Sequence, residues 1–291
     1  MPTQQRAQVI TAAPTPFTAD ERLDRDGVDA LFDAIRARGA DGVFAAGTTG
    51  EFTALDDDER IDVLAAALEV FGPEGTYAHV GAATARQAER LAGRAVDAGA
   101  RRLAAVTPFF LPAPEDALLR YYERLVAAAD GAEVFAYLFR LRSTTEVAPE
   151  ALRRLADVGV RGAKISGESD ASVEAFLAAA PEGFTVISGN DVSFGPLIRA
   201  GGLGVVSGVS SVFPEPFIAL RDALRAGDAD AAAAAQPRVE RAVAAVKGGS
   251  IAHLKAGLEV RGLPAGPVRV SSESVSEQDL QVLRDTARDL G

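Results

Sequence analysis

Several residue types that often carry enzyme chemistry are scarce or missing in this sequence. It contains no cysteine and only two histidines, His79 and His253, so disulfides, thiol chemistry and zinc sites have almost no material. There is no run of about 18 apolar residues, the length that a membrane-spanning helix needs. The net charge of −11 repels nucleic-acid phosphates and anionic lipid surfaces. We therefore expect neither a nucleic acid nor a membrane as a partner.

Lysine is also scarce. Among the 30 basic side chains, only Lys164, Lys247 and Lys255 are lysines. Arginine stays protonated and cannot act as an amine nucleophile near neutral pH, whereas a lysine can when its surroundings favour the neutral amine. Any amine chemistry therefore has three candidates. Lys247 and Lys255 fall in a helical tail, where we predict solvated surface positions.

What is present is material for one large domain. The 291 residues, 48% of them hydrophobic, are about the size of a single barrel domain and can bury a large core. The opening segment MPTQQRAQVI lacks the charged and apolar regions of a signal peptide. We therefore expect a cytoplasmic protein.

Short apolar runs rich in Val, Ala and Ile alternate with longer amphipathic stretches, which is typical of βαβ units around a parallel sheet. Eight such runs are predicted as strands, at residues 8–13, 42–46, 77–81, 102–106, 133–138, 161–165, 184–188 and 203–207. Eight strands with interleaved helices predict an α/β protein, a (β/α)8 TIM barrel over residues 1–226. A doubly wound open sheet remains the alternative from periodicity alone.

Helical patterns fill the intervals between the strands. They are predicted at residues 26–38, 57–71, 85–98, 115–129, 149–157, 172–180 and 213–226. Gly39, Gly72 and Gly99 follow three of these helices, as left-handed C-caps require. Residues 227–291 are predicted to form a C-terminal helical extension packed on the barrel, with helices at 229–246, 250–261 and 276–290 and one loop, Gly262 to Ser272.

The active sites of such barrels lie where strands end and βα loops begin. Lys164 is placed there, in the run Arg161 to Ile165 and just before the polar loop Ser166 to Asp170. Burial inside a strand disfavours the charged ammonium and favours the neutral amine that a nucleophile needs. A lysine on the outer face of the barrel, paired or extended into solvent, is the alternative.

Three other strand ends carry polar groups. The turn Gly47-Thr48-Thr49-Gly50-Glu51 follows the second strand, and its backbone N–H groups and hydroxyls could capture a carboxylate, or it could be a plain glycine-rich turn. Tyr137 closes the fifth strand and could transfer protons, although aromatic side chains at strand ends are commonly core. Arg142 could bind a substrate carboxylate, with Arg140 as its rival or a surface position as the alternative.

Taken in order, these segments resemble the dihydrodipicolinate synthase and N-acetylneuraminate lyase family, the class I pyruvate-dependent aldolases. The resemblance covers nearly the whole chain and rests on TAAPTPFTAD near the start, GTTGE, TPFF at 107–110, Tyr137, Lys164, the segments 186–191 and 204–207, and LKAGLEVRGL in the tail.

The resemblance implies that Lys164 forms a Schiff base with the keto carbon of pyruvate and that Tyr137, aided by Thr49, moves protons. It implies substrate contacts from Thr48, Thr49, Arg142, the backbone carbonyl of Val206, Phe110 and Gly189. It also implies a homotetramer built from tight dimers, or a homodimer. Neither a metal nor another cofactor is expected, because the imine nitrogen serves as the electron sink.

Departures from the family pattern concern the second substrate. Phe110 stands where the synthases of lysine biosynthesis carry a second tyrosine, and a phenylalanine cannot pass a proton. Leu138 to Arg140 replaces the common Asn-x-Pro, whereas Arg142 does match the carboxylate-binding arginine of the synthases. We therefore expect a lyase acting on a 2-keto-3-deoxy sugar acid or a similar hydroxylated 2-keto acid. The alternatives are 4-hydroxy-tetrahydrodipicolinate synthase, a sugar-acid dehydratase that uses the same imine, and a non-catalytic barrel that senses a keto acid.

Overall fold

A computed structural model describes residues 7–291, and the first six residues of the opening segment used above lie outside the described residues. Eight parallel strands close into a barrel in chain order. They are β1 (Gln8–Ala12), β2 (Gly42–Ala45), β3 (Thr76–His79), β4 (Arg102–Val106), β5 (Glu133–Leu138), β6 (Gly162–Ile165), β7 (Thr185–Ser188) and β8 (Gly204–Ser207). β8 pairs with β1 to complete the ring, with Ile10 opposite Val206. The predicted (β/α)8 barrel is confirmed, and the open sheet is wrong.

The strands are buried on both faces, as expected for parallel strands with helices on one side and a packed barrel interior on the other. In β5, alternate residues face opposite sides, so Phe135 and Tyr137 belong to the interior cluster while Val134 and Ala136 pack under the helices. Lys164 is paired in register with Tyr137 of β5. The same alternation therefore turns Lys164 into the barrel.

The helices around the barrel follow the predicted order, with ends shifted by a few residues. They are α1 (Arg25–Ala37), α2 (Asp57–Gly75), α3 (Ala85–Asp97), α4 (Glu115–Ala128), α5 (Arg140–Ser143), α6 (Ala151–Asp157), α7 (Asp170–Ala179), α8 (Phe194–Arg199) and α9 (Pro214–Ala226). The sequence did not predict α5 and α8, because four to six residues are too few for a helical period to show. Gly39 and Gly99 have φ of 93° and 103°, which supports the predicted left-handed caps.

The predicted helix after β2 continues beyond its expected end. α2 extends to Gly75 across a break at Gly72, whose φ of 67° and ψ of 176° are not helical. Gly72 therefore ends the regular part of the helix, as predicted, but its ψ lies outside the left-handed helical region, so the predicted left-handed cap is wrong at this position.

Three helices follow the barrel, α10 (Ala229–Ala245), α11 (Ile251–Val260) and α12 (Glu277–Leu290). Leu254, Leu258 and Leu283 of these helices share one hydrophobic cluster with Val28 and Phe32 of α1, so the extension packs on the barrel. Between α11 and α12 lies a long segment without helix or strand, residues 261–276, which we call the strap. No helix within residues 7–291 is long and apolar enough to cross a membrane.

Candidate active site

A cavity of about 860 Å³ opens at the C-terminal ends of the strands. It is the place where barrel enzymes hold their substrates. Most of the predicted site residues line it, namely Thr48, Thr49, Tyr137, Arg142, Lys164, Gly189 and Val206. The structure thus brings together residues from five of the eight strands or the loops that follow them.

Lys164 lies at the floor of this cavity and is only 5% exposed. Its Nζ lies 3.9 Å from the ring centre of Tyr137 and 4.3 Å from that of Phe44. In the described part of the chain, no carboxylate lies within ion-pairing distance, 4.0 Å, of this amine. The alternative of a lysine on the outer wall is therefore wrong, and the amine faces aromatic rings and the cavity.

Tyr137 is joined to the turn after β2 by a hydrogen bond between its hydroxyl and Thr48 Oγ1, at 3.2 Å. The resemblance had pointed to Thr49 as the partner of this tyrosine. Thr49 instead faces the loop after β8, because a Cβ built on Gly208 would come within 3.2 Å of Thr49 Oγ1. Neighbouring residues of a tight turn point in different directions, so only one of the two hydroxyls can reach the phenol.

Gly189 leaves room beside the lysine. A Cβ built on Gly189 would lie 2.0 Å from Ser166 Oγ and 3.4 Å from Lys164 Cε. Any larger residue would therefore displace Ser166 and press on the Lys164 side chain. The space that a substrate would occupy above Lys164 depends on this glycine.

His79, at the end of β3, was not assigned a role from the sequence. Its Nε2 accepts a hydrogen bond from the Val106 N–H at 3.2 Å, and its Nδ1 lies 3.0 Å from the Ala46 carbonyl oxygen. Burial, with the Arg60 and Lys164 cations nearby, holds the pKa of His79 well below its usual value. A neutral imidazole with a proton on Nδ1 satisfies both contacts, so His79 supports the start of the turn after β2 from below.

Arg60 lies beneath the same turn and is also buried. Its guanidinium donates to the carbonyl oxygens of Gly81, at 3.1 Å, and His79, at 2.7 Å. Burial lowers the pKa of Arg60 to about 10. The arginine is therefore held by backbone carbonyls and supports the end of β3.

Asp191 is a second functional candidate that the sequence reasoning passed over. Its carboxyl lines the cavity, and its Oδ1 is buried without a hydrogen-bond partner among residues 7–291. Burial raises the pKa of Asp191 to about 7, although a hydrogen bond from Ser207 and the positive charge of Lys164 act in the opposite direction. This carboxyl can therefore gain and lose a proton near neutral pH. Its position three residues after β7 was the signal that could have identified it.

The outer part of the cavity is polar and is formed partly by the C-terminal extension. Ser271, Ser272 and Glu273 of the strap line it, together with Lys247. The Lys247 side chain is 53% exposed and lies 2.9 Å from Asp279, in agreement with the predicted surface position. The extension is thus part of the cavity wall.

The prediction for Lys255 is wrong. This lysine is only 2% exposed, and its Nζ forms an ion pair with Glu51 Oε1 at 2.7 Å. Its Nζ also donates to the Pro267 carbonyl oxygen at 2.6 Å. The helical pattern of the tail showed that α11 has a buried face, but the partner that allows a lysine there is more than 200 residues away in the sequence.

Arg142 and Phe110 lie at the rim. The Arg142 guanidinium lies 6.0 Å from the ring centre of Phe139 and borders the cavity, whereas its rival Arg140 does not line it. Phe110 is 86% exposed and does not line the cavity within one chain. Its contact with substrate stays a prediction. No group of three or more His, Asp or Glu side chains within residues 7–291 could hold a metal ion.

Comparison with known proteins agrees with this geometry. The profile of the dihydrodipicolinate synthetase family matches residues 5–290. The chain is 36% identical to 4-hydroxy-tetrahydrodipicolinate synthase 1 of Streptomyces coelicolor, over 92% of this chain and 89% of that one. It is 30% identical to N-acetylneuraminate lyase of Rhizobium meliloti, over 95% of this chain and 93% of that one.

Among solved structures, the chain superposes with a TM-score of 0.90 on a prophage protein of Escherichia coli K12. That protein is described as a member of the dihydrodipicolinic acid synthase family in complex with pyruvate. The two chains are 26% identical, and 98% of each is covered. The agreement includes the C-terminal extension as well as the barrel.

Proposed function

The chain belongs to the dihydrodipicolinate synthetase family and is a carbon–carbon lyase of the class I aldolase type, and on that premise we propose that Lys164 carries its chemistry. The substrate that we propose is a 2-keto-3-deoxy sugar acid or a similar hydroxylated 2-keto acid, cleaved to pyruvate and an aldehyde. The observation that supports this assignment most strongly is the buried Lys164 amine. Within residues 7–291 it has no carboxylate within ion-pairing distance, and the Tyr137 phenol and the cavity lie beside it.

In the proposed reaction, the neutral amine of Lys164 attacks the keto carbon, and loss of water from the carbinolamine leaves an imine. A base removes the proton of the hydroxyl on C4, the C3–C4 bond breaks, and its electron pair passes into the imine to form an enamine. The aldehyde leaves, C3 of the enamine is protonated, and hydrolysis releases pyruvate and the amine. Atoms and charges balance without a further reactant.

The Thr48 and Tyr137 hydroxyls are suited to the proton steps. Their 3.2 Å contact forms a short path between the buried amine and the turn after β2, and a phenol beside the reacting carbon can both donate and accept a proton. We assign the relay to Tyr137 and Thr48. Thr49 and the N–H groups of the same turn then remain to hold the substrate carboxylate.

The polar outer wall supports a hydroxylated substrate. The hydroxylated carbon chain of such a substrate, extending outward from Lys164, would meet Ser271, Ser272 and Glu273 in the outer part of the cavity. Those side chains can donate and accept hydrogen bonds, so they suit hydroxyls better than an apolar chain. The fold of the site therefore favours a sugar acid over a short aliphatic partner.

A synthase is the second candidate, and Arg142 supports it. Its guanidinium borders the cavity and could bind the carboxylate of aspartate semialdehyde through two parallel hydrogen bonds. The Streptomyces coelicolor relative named as a synthase is also similar over most of both chains. Phe110 argues against a synthase, because its side chain offers no hydroxyl for the proton relay.

Two measurements test the proposal. Reduction with borohydride in the presence of pyruvate should add the reduced pyruvate mass to the peptide containing Lys164, and an unmodified peptide would reject the imine mechanism. Incubation with a panel of 2-keto-3-deoxy sugar acids should then release pyruvate and an aldehyde. Turnover with aspartate semialdehyde and none with the sugar acids would support the synthase instead.

We also propose that the chain assembles with copies of itself as a homodimer or homotetramer. Phe110, Leu111 and Leu141 are 86%, 71% and 69% exposed; Leu141 lines the cavity, and Phe110 and Leu111 directly follow Phe109, which also lines it. Large apolar side chains grouped at a surface are typical of interaction sites. Sedimentation of the purified protein would show a monomer if this proposal is wrong.

A further inference from the structure

The strap is held by one side chain of the turn after β2. Glu51 follows directly on Thr48 to Gly50, and its Oε2 accepts hydrogen bonds from the backbone N–H groups of Arg269, at 2.7 Å, and Val270, at 2.9 Å. The same strap lines the outer cavity a few residues later, at Ser271 to Glu273. A single carboxylate therefore connects the proposed carboxylate-binding turn with the part of the cavity wall that the strap forms.

Lys255 completes this connection from the extension. Its amine pairs with Glu51 and donates to the carbonyl oxygen of Pro267, so it also touches the strap. The side chains of Glu51 and Lys255 are 0% and 3% exposed. Burial lowers the pKa of Lys255, while the hydrogen bond and charge of Glu51 oppose that shift. Removing either partner would leave the other buried charge without its ion-pair partner.

The backbone of Glu51 is also constrained. Its φ of 58° is in the left-handed region, which is uncommon for a residue with a side chain. Its N–H donates to the Thr48 carbonyl oxygen at 3.1 Å. Displacement of the Glu51 side chain would therefore act directly on the backbone that carries Thr48 and Thr49.

We propose that Glu51 and Lys255 are positioning residues, which together set the distance between the Thr48–Thr49 turn and the strap wall of the cavity. The C-terminal extension is then a working part of the active site and not only a cover on the barrel. The activity readout rests on the proposed function, but the positioning can also be measured without any substrate.

A matched control lies at the other end of the barrel. Asp41 accepts a hydrogen bond from the Val9 N–H at 2.9 Å and forms ion pairs with Arg221, at 3.2 Å, and Arg225, at 2.9 Å. Like Glu51, this carboxylate accepts a hydrogen bond from a backbone N–H group and forms an ion pair with a distant helix. Asp41 directly precedes β2, whereas the cavity lies beyond the C-terminal end of that strand.

The experiment compares E51Q, K255M and the double variant E51Q/K255M with D41N. Each is characterised by its thermal midpoint and by the rate at which borohydride traps pyruvate on Lys164. E51Q and K255M should slow trapping by about tenfold to a hundredfold, because small displacements of binding groups have effects of that size. D41N should lower the thermal midpoint as much as E51Q and K255M do, but its trapping rate should stay within about twofold of that of the natural chain.

The double variant separates position from stability. Removing both charges should restore much of the thermal midpoint but not the trapping rate, because Lys255 no longer holds the strap. Trapping by E51Q/K255M at the rate of the natural chain, or equal slowing by D41N, would overturn the proposal.

If the natural chain traps no pyruvate, that result rejects the proposed function but does not test the positioning. Hydrogen exchange then tests the positioning without a substrate. In K255M, the amides of Arg269 and Val270, which are bonded to Glu51, and those of Glu51 and Phe52, which are bonded within the turn after β2, should lose protection together. Loss confined to the strap, with the turn still protected as in D41N, would show that the pair does not position the turn.

Discussion

Two buried lysines of this chain differ in what surrounds them. Lys164, at the barrel centre, and Lys255, where the extension meets the barrel, are 5% and 2% exposed. Both amines lie over aromatic rings, Lys164 at 3.9 and 4.3 Å and Lys255 at 4.1 Å from Phe17, but among residues 7–291 only Lys255 is paired with a carboxylate, that of Glu51 at 2.7 Å. A carboxylate partner stabilises the charged ammonium and keeps the amine occupied. Burial alone therefore does not mark a nucleophile, and the missing partner is the more informative feature.

The largest expected effect separates the two lysines. K164A should abolish the pyruvate adduct and reduce turnover by about a thousandfold or more, since the other lysine that lines the cavity within residues 7–291, Lys247, lies in its outer part and is paired with Asp279. K255M should still form the adduct on Lys164 but lose about 3 to 5 kcal/mol of stability, because Glu51 is left buried and unpaired. Mass spectrometry and urea unfolding measure the two quantities. An adduct on K164A, or an unchanged unfolding midpoint for K255M, would remove the distinction.

The hydroxyls near Lys164 provide a sharper test of its surroundings. Y137F keeps the ring but removes the phenol, and it should slow turnover by roughly 10² to 10⁴. T48V should lower kcat with little change in KM, whereas T49V should mainly raise the KM for the keto acid. Steady-state kinetics of the three variants decide the assignment. A larger kcat loss for T49V than for T48V would return the relay to Thr49.

Asp191 tests how a buried carboxylate behaves when, within residues 7–291, it forms no ion pair and only the charge of Lys164 acts on it from a distance. Its pKa of about 7 in the folded chain lies above the usual value near 4, so the protonated form stabilises the fold. That contribution is complete at acidic pH, below the unfolded pKa, and is lost as the pH rises from about 4 to about 7. The upper limit of the loss is about 4 kcal/mol. Thermal midpoints across this range should fall in the natural chain and vary less in D191N, and identical slopes would contradict the assignment.

The smallest expected effect concerns the rim. F110A removes a side chain that is 86% exposed, so the stability of one chain should change by less than about 0.5 kcal/mol. If copies of the chain associate through Phe110 and its neighbours, the sedimentation coefficient should nevertheless fall. Unchanged association at low protein concentration would place the contact between copies elsewhere.

Most of the fold could be predicted from the sequence. Alternating short apolar runs and amphipathic stretches placed all eight strands, with ends that differ from those observed by no more than two residues. The predicted helices were as accurate, because their apolar faces repeat over several turns; the exception is α2, which extends four residues beyond its expected end, to Gly75. The short helices α5 and α8 were missed, since a helix of one or two turns shows no period.

The candidate site was predicted less evenly. Lys164 and Tyr137 were identified because each lies at the end of a strand, and strand pairing then places them side by side. The roles of His79 and Asp191 and the burial of Lys255 were not predicted, because each depends on a partner that is distant in the sequence. The ion pair between Glu51 and Lys255 spans more than 200 residues, and no local pattern reports such a contact.

By itself, the sequence determined that this chain forms a barrel and which residues reach its mouth, because the periods of strands and helices decide the direction of each side chain. Only the tertiary structure decided that Thr48 and not Thr49 meets Tyr137, and that Lys164 lacks the carboxylate that Lys255 has. The physical reason is that these choices depend on how loops fold over the barrel. Loop conformation comes from long-range packing and buried charge, which a one-dimensional pattern does not contain.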